Sequence, residues 1–434
     1  MRESAEYKIP VDYYIFALIC LSFIAIAFAL EPPLQVLNNY IVINTSRSVL
    51  VSDYVAMAGV GAALLNSAIS VLFFLVLLVY NKCEPNGKIF AALFLTMGFS
   101  LFGKNMFNSI PICIGVWLYA KSTNAKFSNY VAQAMFSTTV APIVSEIAFV
   151  DGTTTLIRVI SAYGVGVFIG LIFPAVVESA KRMHRGYNLY NSGVAGGLIA
   201  TFFVGLLRSA GIYTQPENLW DTSNTVFLAK VAFAMAILLI IYGIIADRPA
   251  NAYRKLKLLS SEKDVNHIDY FTTYGSTCYI NIGILCIVST VAMLLIGIPI
   301  NGPVLGGILT VAGFAAFGKH LVNTVPILLG SILAAHVNYI EVDAATNSLA
   351  ILFSTGLAPM SGKYGWKCGI LIGFLHVSVS LSVGHLNGWL NLYNNGFAGG
   401  FVVITIAPIL LYFKEIYANY RNKDTEIKPD YSDS

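Results

Sequence analysis

The chain has 434 residues, 57% hydrophobic and only 11% charged, with formal net charge +4 and mean hydropathy +0.72. Soluble domains carry about 25% charged residues, so a water-facing globular surface is excluded. A membrane barrel is also excluded, because its strands would be short and alternating.

Apolar runs follow one another at 11–30, 54–80, 88–101, 107–120, 130–150, 156–178, 190–208, 226–246, 275–298, 302–317, 321–337, 346–360, 365–384 and 393–413. The first ends in Ala27-Phe-Ala29, a form that a leader-peptide cleavage site also takes. Its full span length and its counterpart at the head of the second half favour a retained helix. Long loops are expected at 31–53 and 247–274. The runs 88–101 and 107–120 are short for a crossing, which needs about 20 residues. With 302–317 and 321–337 they form two pairs, expected as broken or re-entrant elements. The six cysteines are scattered, with no C-x-x-C pair, which argues against a disulfide framework or a metal cluster.

The runs repeat. Asn188-Leu-Tyr-Asn-Ser-Gly-Val-Ala-Gly-Gly197 returns as Asn391-Leu-Tyr-Asn-Asn-Gly-Phe-Ala-Gly-Gly400. Phe102-Gly-Lys-Asn-Met-Phe-Asn-Ser-Ile-Pro111 returns as Phe317-Gly-Lys-His-Leu-Val-Asn-Thr-Val-Pro326. Phe136-Ser-Thr-Thr-Val-Ala-Pro142 returns as Phe353-Ser-Thr-Gly-Leu-Ala-Pro359. The chain is therefore a duplication.

Lysine and arginine in short loops favour the cytoplasm. With the N-terminus inside and fourteen crossings, 21 of the positive side chains fall inside and 5 outside. With 130–150 and 346–360 re-entrant the split falls to 15 and 11. Fourteen crossings put both termini in the cytoplasm and, seven being odd, invert the second half. The flanking charges agree. Lys181, Arg182 and Arg185 become Gly384, His385 and Gly388, and Lys121 and Lys126 face a loop carrying Glu341 and Asp343. The expected fold is an all-α polytopic membrane protein of about 14 transmembrane elements. Residues 1–210 form the first inverted repeat, 211–225 a linker, 226–413 the second repeat and 414–434 a cytoplasmic tail.

The matched positions supply the candidate substrate-binding residues. Asn108 and Asn323 each stand three residues before Pro111 or Pro326. Asparagine caps helices and proline is tolerated in a first turn, so each pair can aim a helix N-terminus at an electron-rich group. Lys104 with Asn105, and Lys319 with His320, lie at the short-helix junctions. An ionisable side chain within a membrane points to function, and snorkelling is the bland alternative. Thr138 with Pro142, and Thr355 with Pro359, mark either a kink or an unwound segment whose oxygens bind a solute or cation. Asn191 with Gly193, and Asn394 with Gly396, begin the last helix of each half, where the asparagines line a polar path or the glycines pack helices. Gly166-x-x-x-Gly170 and Gly369-x-x-x-Gly373 are packing motifs. Glu146 is the first candidate for coupling, with Glu178, His320 and His376 behind it. The basic stretch 248–263 sets orientation and can touch anionic headgroups.

The pairing of Phe-Gly-Lys-x-x-x-Asn-x-x-Pro with Asn-Leu-Tyr-Asn-x-Gly-x-Ala-Gly-Gly, spread over 88–413, resembles a duplicated bacterial polytopic membrane family of unassigned substrate. That resemblance implies the bacterial cytoplasmic (inner) membrane and no particular activity. In the order of its motifs the chain is distantly similar to urea transporters, which have five spans per repeat. In span count it is similar to seven-plus-seven inverted carriers.

The expected function is secondary transport of a small polar or anionic solute through a midplane site between inverted repeats. The alternative is a passive, channel-like facilitator, favoured by the scarcity of matched intramembrane carboxylates. An enzyme is not expected, since H-E-x-x-H, G-x-S-x-G and P-loop motifs are missing. The implied partners are a small-molecule substrate and the lipid bilayer. Nucleic acid is not implied, and a homo-oligomer is compatible. No cofactor is expected beyond a coupling H+ or Na+.

Overall fold

The computed structural model describes residues 7–263, 268–337 and 344–426. The first half contains α1 (Val11–Leu30), α2 (Pro33–Thr45), α3 (Tyr54–Tyr80), α4 (Gly87–Phe99), α5 (Met106–Ser122), α6 (Val131–Ser137), α7 (Pro142–Ala148), α8 (Leu156–His184) and α9 (Asn191–Ser209). The second contains α10 (Thr225–Asp247), α11 (Pro249–Ser260), α12 (Tyr270–Tyr274), α13 (Thr277–Leu295), α14 (Gly302–Gly313), α15 (Leu321–Val337), α16 (Ala344–Ser354), α17 (Ala358–Tyr364), α18 (Trp366–Val383) and α19 (Asn394–Glu426).

Each of the fourteen apolar runs falls on helix, but they are not fourteen full-length spans. Eight described helices are long and apolar enough to cross a membrane: α1, α3, α8, α9, α10, α13, α18 and α19. A ninth is possible if α6 and α7, bent by 50° at their junction, count as one. The remaining runs are short or broken helices. The expected long loops also need correcting, because α2 occupies 33–45 and α11 and α12 occupy much of 247–274. Proline opens both α2 and α11, where its missing N–H costs nothing. The loop containing Glu341 and Asp343 lies outside the described residues.

The halves share an architecture. In each, the third run starts on an asparagine cap, with Asn86 accepting from Ile89 N and Asn301 from Val304 N. α14 is buried along its whole length, and α4 at every residue except Lys88. They lie antiparallel, since Gly87 abuts Ala316 O and Gly302 abuts Leu101 O. Two equivalent helices packed this way are related by an axis perpendicular to their length, so the repeats run in opposite senses. Gly166 and Gly170 of α8 receive Pro111 and Ile112 of α5, and Gly369 and Gly373 of α18 receive Pro326 and Ile327 of α15. The glycine pairs are packing devices, as expected.

Loops gather at two ends. At the basic end, Tyr13 Oη donates to Cys83 O, Gly87 N to Asp269, and Tyr279 Oη to Asp12. At the opposite end, Arg47 pairs with Glu146, Ser52 Oγ donates to Glu217, and Arg208 to His385 O. This grouping matches the two loop sets that charge counting separates.

Candidate functional site

Both interrupted elements are held by the same polar device. Asn66 of α3 donates to Ser100 O (2.7 Å) and Lys104 O (2.9 Å). Asn281 of α13 donates to Ala315 O (2.9 Å) and Lys319 O (2.7 Å). A helix that ends inside an apolar core leaves carbonyls without partners, and one asparagine satisfies two of them. Asn105 and Asn108 form a reciprocal capping box at the start of α5, and Asn108 Nδ2 also bonds Gly103 O and Ser145 Oγ. Asn323 repeats half of this, accepting from His320 N and donating to Gly318 O.

The two breaks turn their lysines inward. Lys104 and Lys319 are both fully buried. Lys319 Nζ donates to the Tyr190 hydroxyl and to Thr355 Oγ1 (2.8 Å), and lies 4.4 Å from the Tyr190 ring centroid. Lys104 Nζ donates to Thr96 Oγ1 (3.1 Å) and lies over Phe74. Among the described residues neither ammonium has a carboxylate within ion-pair distance; the two ion pairs found are Arg47–Glu146 and Lys255–Asp247.

Beside Lys319 sits a cluster of rings drawn from both halves. Tyr190 and Tyr393 approach to 4.6 Å. Tyr190 packs edge-on to Phe314 (4.8 Å) and Phe353 (6.0 Å), and Tyr393 edge-on to Phe99 (5.3 Å) and Phe353 (5.6 Å). Phe314 is the repeat counterpart of Phe99, and Phe353 that of Phe136. The ten-residue repeat builds this centre. Asn188 Nδ2 donates to Gly396 O and Asn391 Nδ2 to Gly193 O. Leu189 N donates to Gly356 O and Leu392 N to Thr139 O, each at 2.9 Å. Each copy of the motif thus grips both the crossing of α9 with α19 and the broken helix of the other half.

The ends of this centre differ. From the basic end a cleft of about 210 Å³ descends past Lys88, Glu178 and Lys181 to His184, Tyr190 and Tyr393. At the opposite end a separate cleft of about 490 Å³ is lined by Glu146, Arg158, Leu207 and Tyr213, and not by the two tyrosines. Asn387 corresponds to His184 and Ser380 to the cleft residue Val177, and all four side chains are buried. Leu50 N donates to Trp389 O (2.8 Å) across this end. Arg47 bridges Glu146 (2.6 Å) and Gln215 O (2.8 Å). Asp53, in the covering segment, accepts from Val55 N and Asp221 N. Burial pushes its carboxyl up to about 7 against those two N–H groups.

The candidate residues divide accordingly. Lys319, through Tyr190, and Thr355 reach the centre, and Asn191 lines the cleft while bonding His184 (2.8 Å) and Val177 O. Lys104 lies on the closed side. Asn105, Asn108 and Asn323 cap and brace the breaks. His320 Nε2 meets Glu262 O (3.0 Å) at the basic end. Pro111 and Pro326 pack on α8 and α18. Thr138 Oγ1 returns to Met135 O within its 3-10 turn, and Pro142 and Pro359 lie in the first turns of α7 and α17. Asn394 accepts from Asn387 (2.7 Å). Gly193 and Gly396 form the helix crossing, where a Cβ on Gly193 would lie 2.8 Å from Gly396 Cα. Glu146 is held at the closed end and Glu178 at the mouth of the cleft, while His376 is buried in α18. Sequence reasoning passed over Tyr190 and Tyr393, although both stand inside the quoted repeat. It also missed Asn66 and Asn281, which the same 215-residue offset would have paired.

Buried lysines, broken helices paired about a two-fold axis and eight spanning helices define a polytopic, duplicated, all-helical membrane protein. The chain belongs to the family described as "Protein of unknown function (DUF1576)", whose model matches it twice, over residues 33–209 and 248–412. No curated protein and no solved structure matches it.

Proposed function

We propose that the protein is a secondary carrier that moves a small polar or anionic solute across the bacterial inner membrane by alternating access. The observation that carries this reading is the asymmetry of the centre. Two equivalent half-sites meet at Tyr190 and Tyr393; the cleft at the basic end is lined by both tyrosines, and the cleft at the opposite end by neither. A passive facilitator would need a path at both ends at once, and the closed end with its Arg47–Glu146 pair favours a carrier. In inverted-repeat carriers one bundle moves against the other around a central site.

The orientation expected from loop charge is supported by one pair of equivalent helices. The helices α2 and α11 each follow the first span of their half. α11 carries Arg254, Lys255 and Lys257, while α2 carries no lysine or arginine. Its apolar side chains Leu34, Leu37 and Ile41 are exposed. Positive charge on only one of two equivalent segments supports a cytoplasmic basic end, with both termini there.

Side-specific labelling tests the reading. Cysteine at Val177 should react with an impermeant maleimide from the cytoplasmic side, and cysteine at Ser380 from the outside. Locking either end by cross-linking should protect the other position no further while abolishing solute flux. Simultaneous reactivity at both positions in one locked molecule would establish a pore and defeat the carrier.

A further inference from the structure

We propose that the transported solute is a small organic anion with a flat apolar body, an aromatic carboxylate in chemical class, whose charge is received by Lys319 from the open cleft and by Lys104 when the opposite end opens. This rests on the carrier reading above and names its substrate.

Three observations meet here. The first is the pair of fully buried lysines. Their Nζ atoms are met by hydroxyls, a backbone carbonyl and ring faces, with no carboxylate in reach among the described residues. A fully buried lysine amine holds its proton as a cation only when an anion pairs with it, and a solute anion would supply that partner. The second is the floor of the cleft, made by Phe136, Phe314, Phe317 and the two tyrosines. Rings in edge-on and tilted contact offer faces to a planar body. The third is the mouth, where Lys88 and Lys181 outnumber Glu178 and favour arrival of an anion. Tyr190 separates cleft from lysine. Its hydroxyl occupies Lys319 Nζ, so a carboxylate oxygen entering along the ring displaces that hydroxyl and takes its hydrogen bond. No covalent step is involved.

The repeat predicts the second station. By the same offsets that relate the halves, Tyr393 and Thr138 stand to Lys104 as Tyr190 and Thr355 stand to Lys319. Thr138 donates to Met135 O just as Thr355 donates to Leu352 O, and the difference lies in the lysines: Lys104 bonds Thr96 where Lys319 bonds Thr355. When that side opens, Lys104 meets Tyr393 and Thr138, and the anion leaves from there.

The test uses the full chain in proteoliposomes with radiolabelled benzoate, its neutral isostere benzamide, acetate and urea. Benzoate should be taken up saturably and preferred over benzamide by roughly tenfold or more, the discrimination expected of one charged hydrogen bond. Acetate should be moved weakly. K319M and K104M should each reduce benzoate uptake by at least about the same factor, with Y190F intermediate. Wild-type selectivity decides even if a lysine variant does not fold. Benzamide or urea moved as well as benzoate overturns the anion assignment and leaves the carrier standing. Absence of movement by every probe, while the cysteines at 177 and 380 still report both states, also overturns the assignment alone. Loss of that alternation defeats the carrier reading itself.

Discussion

Replacing Arg47 with alanine should release the closed end. The guanidinium joins the 46–53 segment to Glu146 of α7 (2.6 Å) and to Gln215 O (2.8 Å) in the stretch before α10. Glu146 is 3% exposed and Arg47 25%. Breaking a fully buried pair costs about 3–5 kcal/mol, and an exposed pair contributes about 0–1. A pair buried at one end and a quarter open at the other falls between, near 2 kcal/mol. If the pair separates whenever this end opens, only the closed state loses that energy. At 1.4 kcal/mol per decade, opening rises roughly 30-fold. The readout is the rate at which Ser380→Cys reacts with an impermeant maleimide, measured against the six native cysteines, all of which are buried. E146Q, which keeps a weaker hydrogen bond, should give a smaller rise in the same direction. An unchanged rate in R47A, together with a lower melting temperature, would refute the argument and make the pair a support of the fold.

Asn66→Ala and Asn281→Ala each strip two buried carbonyls of their donor, at about 1–3 kcal/mol per orphaned group, so both should lower the melting temperature in detergent well beyond a surface asparagine control. Gly193→Leu should prevent assembly because even a Cβ would meet Gly396 Cα at 2.8 Å, whereas Gly205→Ala, with nothing within 4 Å, should be silent in size-exclusion and melting assays. Asp53 gives a pH signature. Its folded carboxyl lies near 7 against an ordinary 3.8, so folding takes up a proton, and its contribution is greatest below 3.8 and is lost as pH rises towards 7. The difference in melting temperature between wild type and D53N should therefore change sign-consistently against wild type from pH 4 to pH 7, and a difference independent of pH would refute the assignment.

Much of this fold was legible because the duplication is readable at the level of single residues. The offsets of 215, 217 and 203 residues, read from three short motifs, correctly pair α4 with α14, α6 with α16, and α9 with α19. Loop charge separated the two ends before any contact was known. Other features were hidden for physical reasons. α2 and α11 are short and only partly apolar, so a search for membrane-length runs reads them as loops. The site was legible in its parts and illegible in its roles. Asn108 and Asn323 look like ligands because buried polar groups in a membrane draw attention, yet each spends a donor and an acceptor on the backbone of the break itself. Tyr190 was read as a letter of a motif, because only the crossing of α9 and α19 brings it against Tyr393.

What stayed equal in the halves and what diverged fall in different places, and that division bears on mechanism. The breaks, their bracing asparagines, the tyrosines and the glycine crossing are matched. If the protein opens its other end by letting the halves exchange conformations, each matched feature is lost on one side and regained on the other at nearly equal energy. The balance between the two states then rests on the unmatched contacts: Arg47–Glu146 at one end and Lys363 with Tyr187 at the other. A few such contacts, each of order 1–3 kcal/mol, are enough to set populations that a bound solute can tip. Duplication with inversion therefore makes two states cheap to hold nearly level, and the unmatched contacts at the ends decide which one rests.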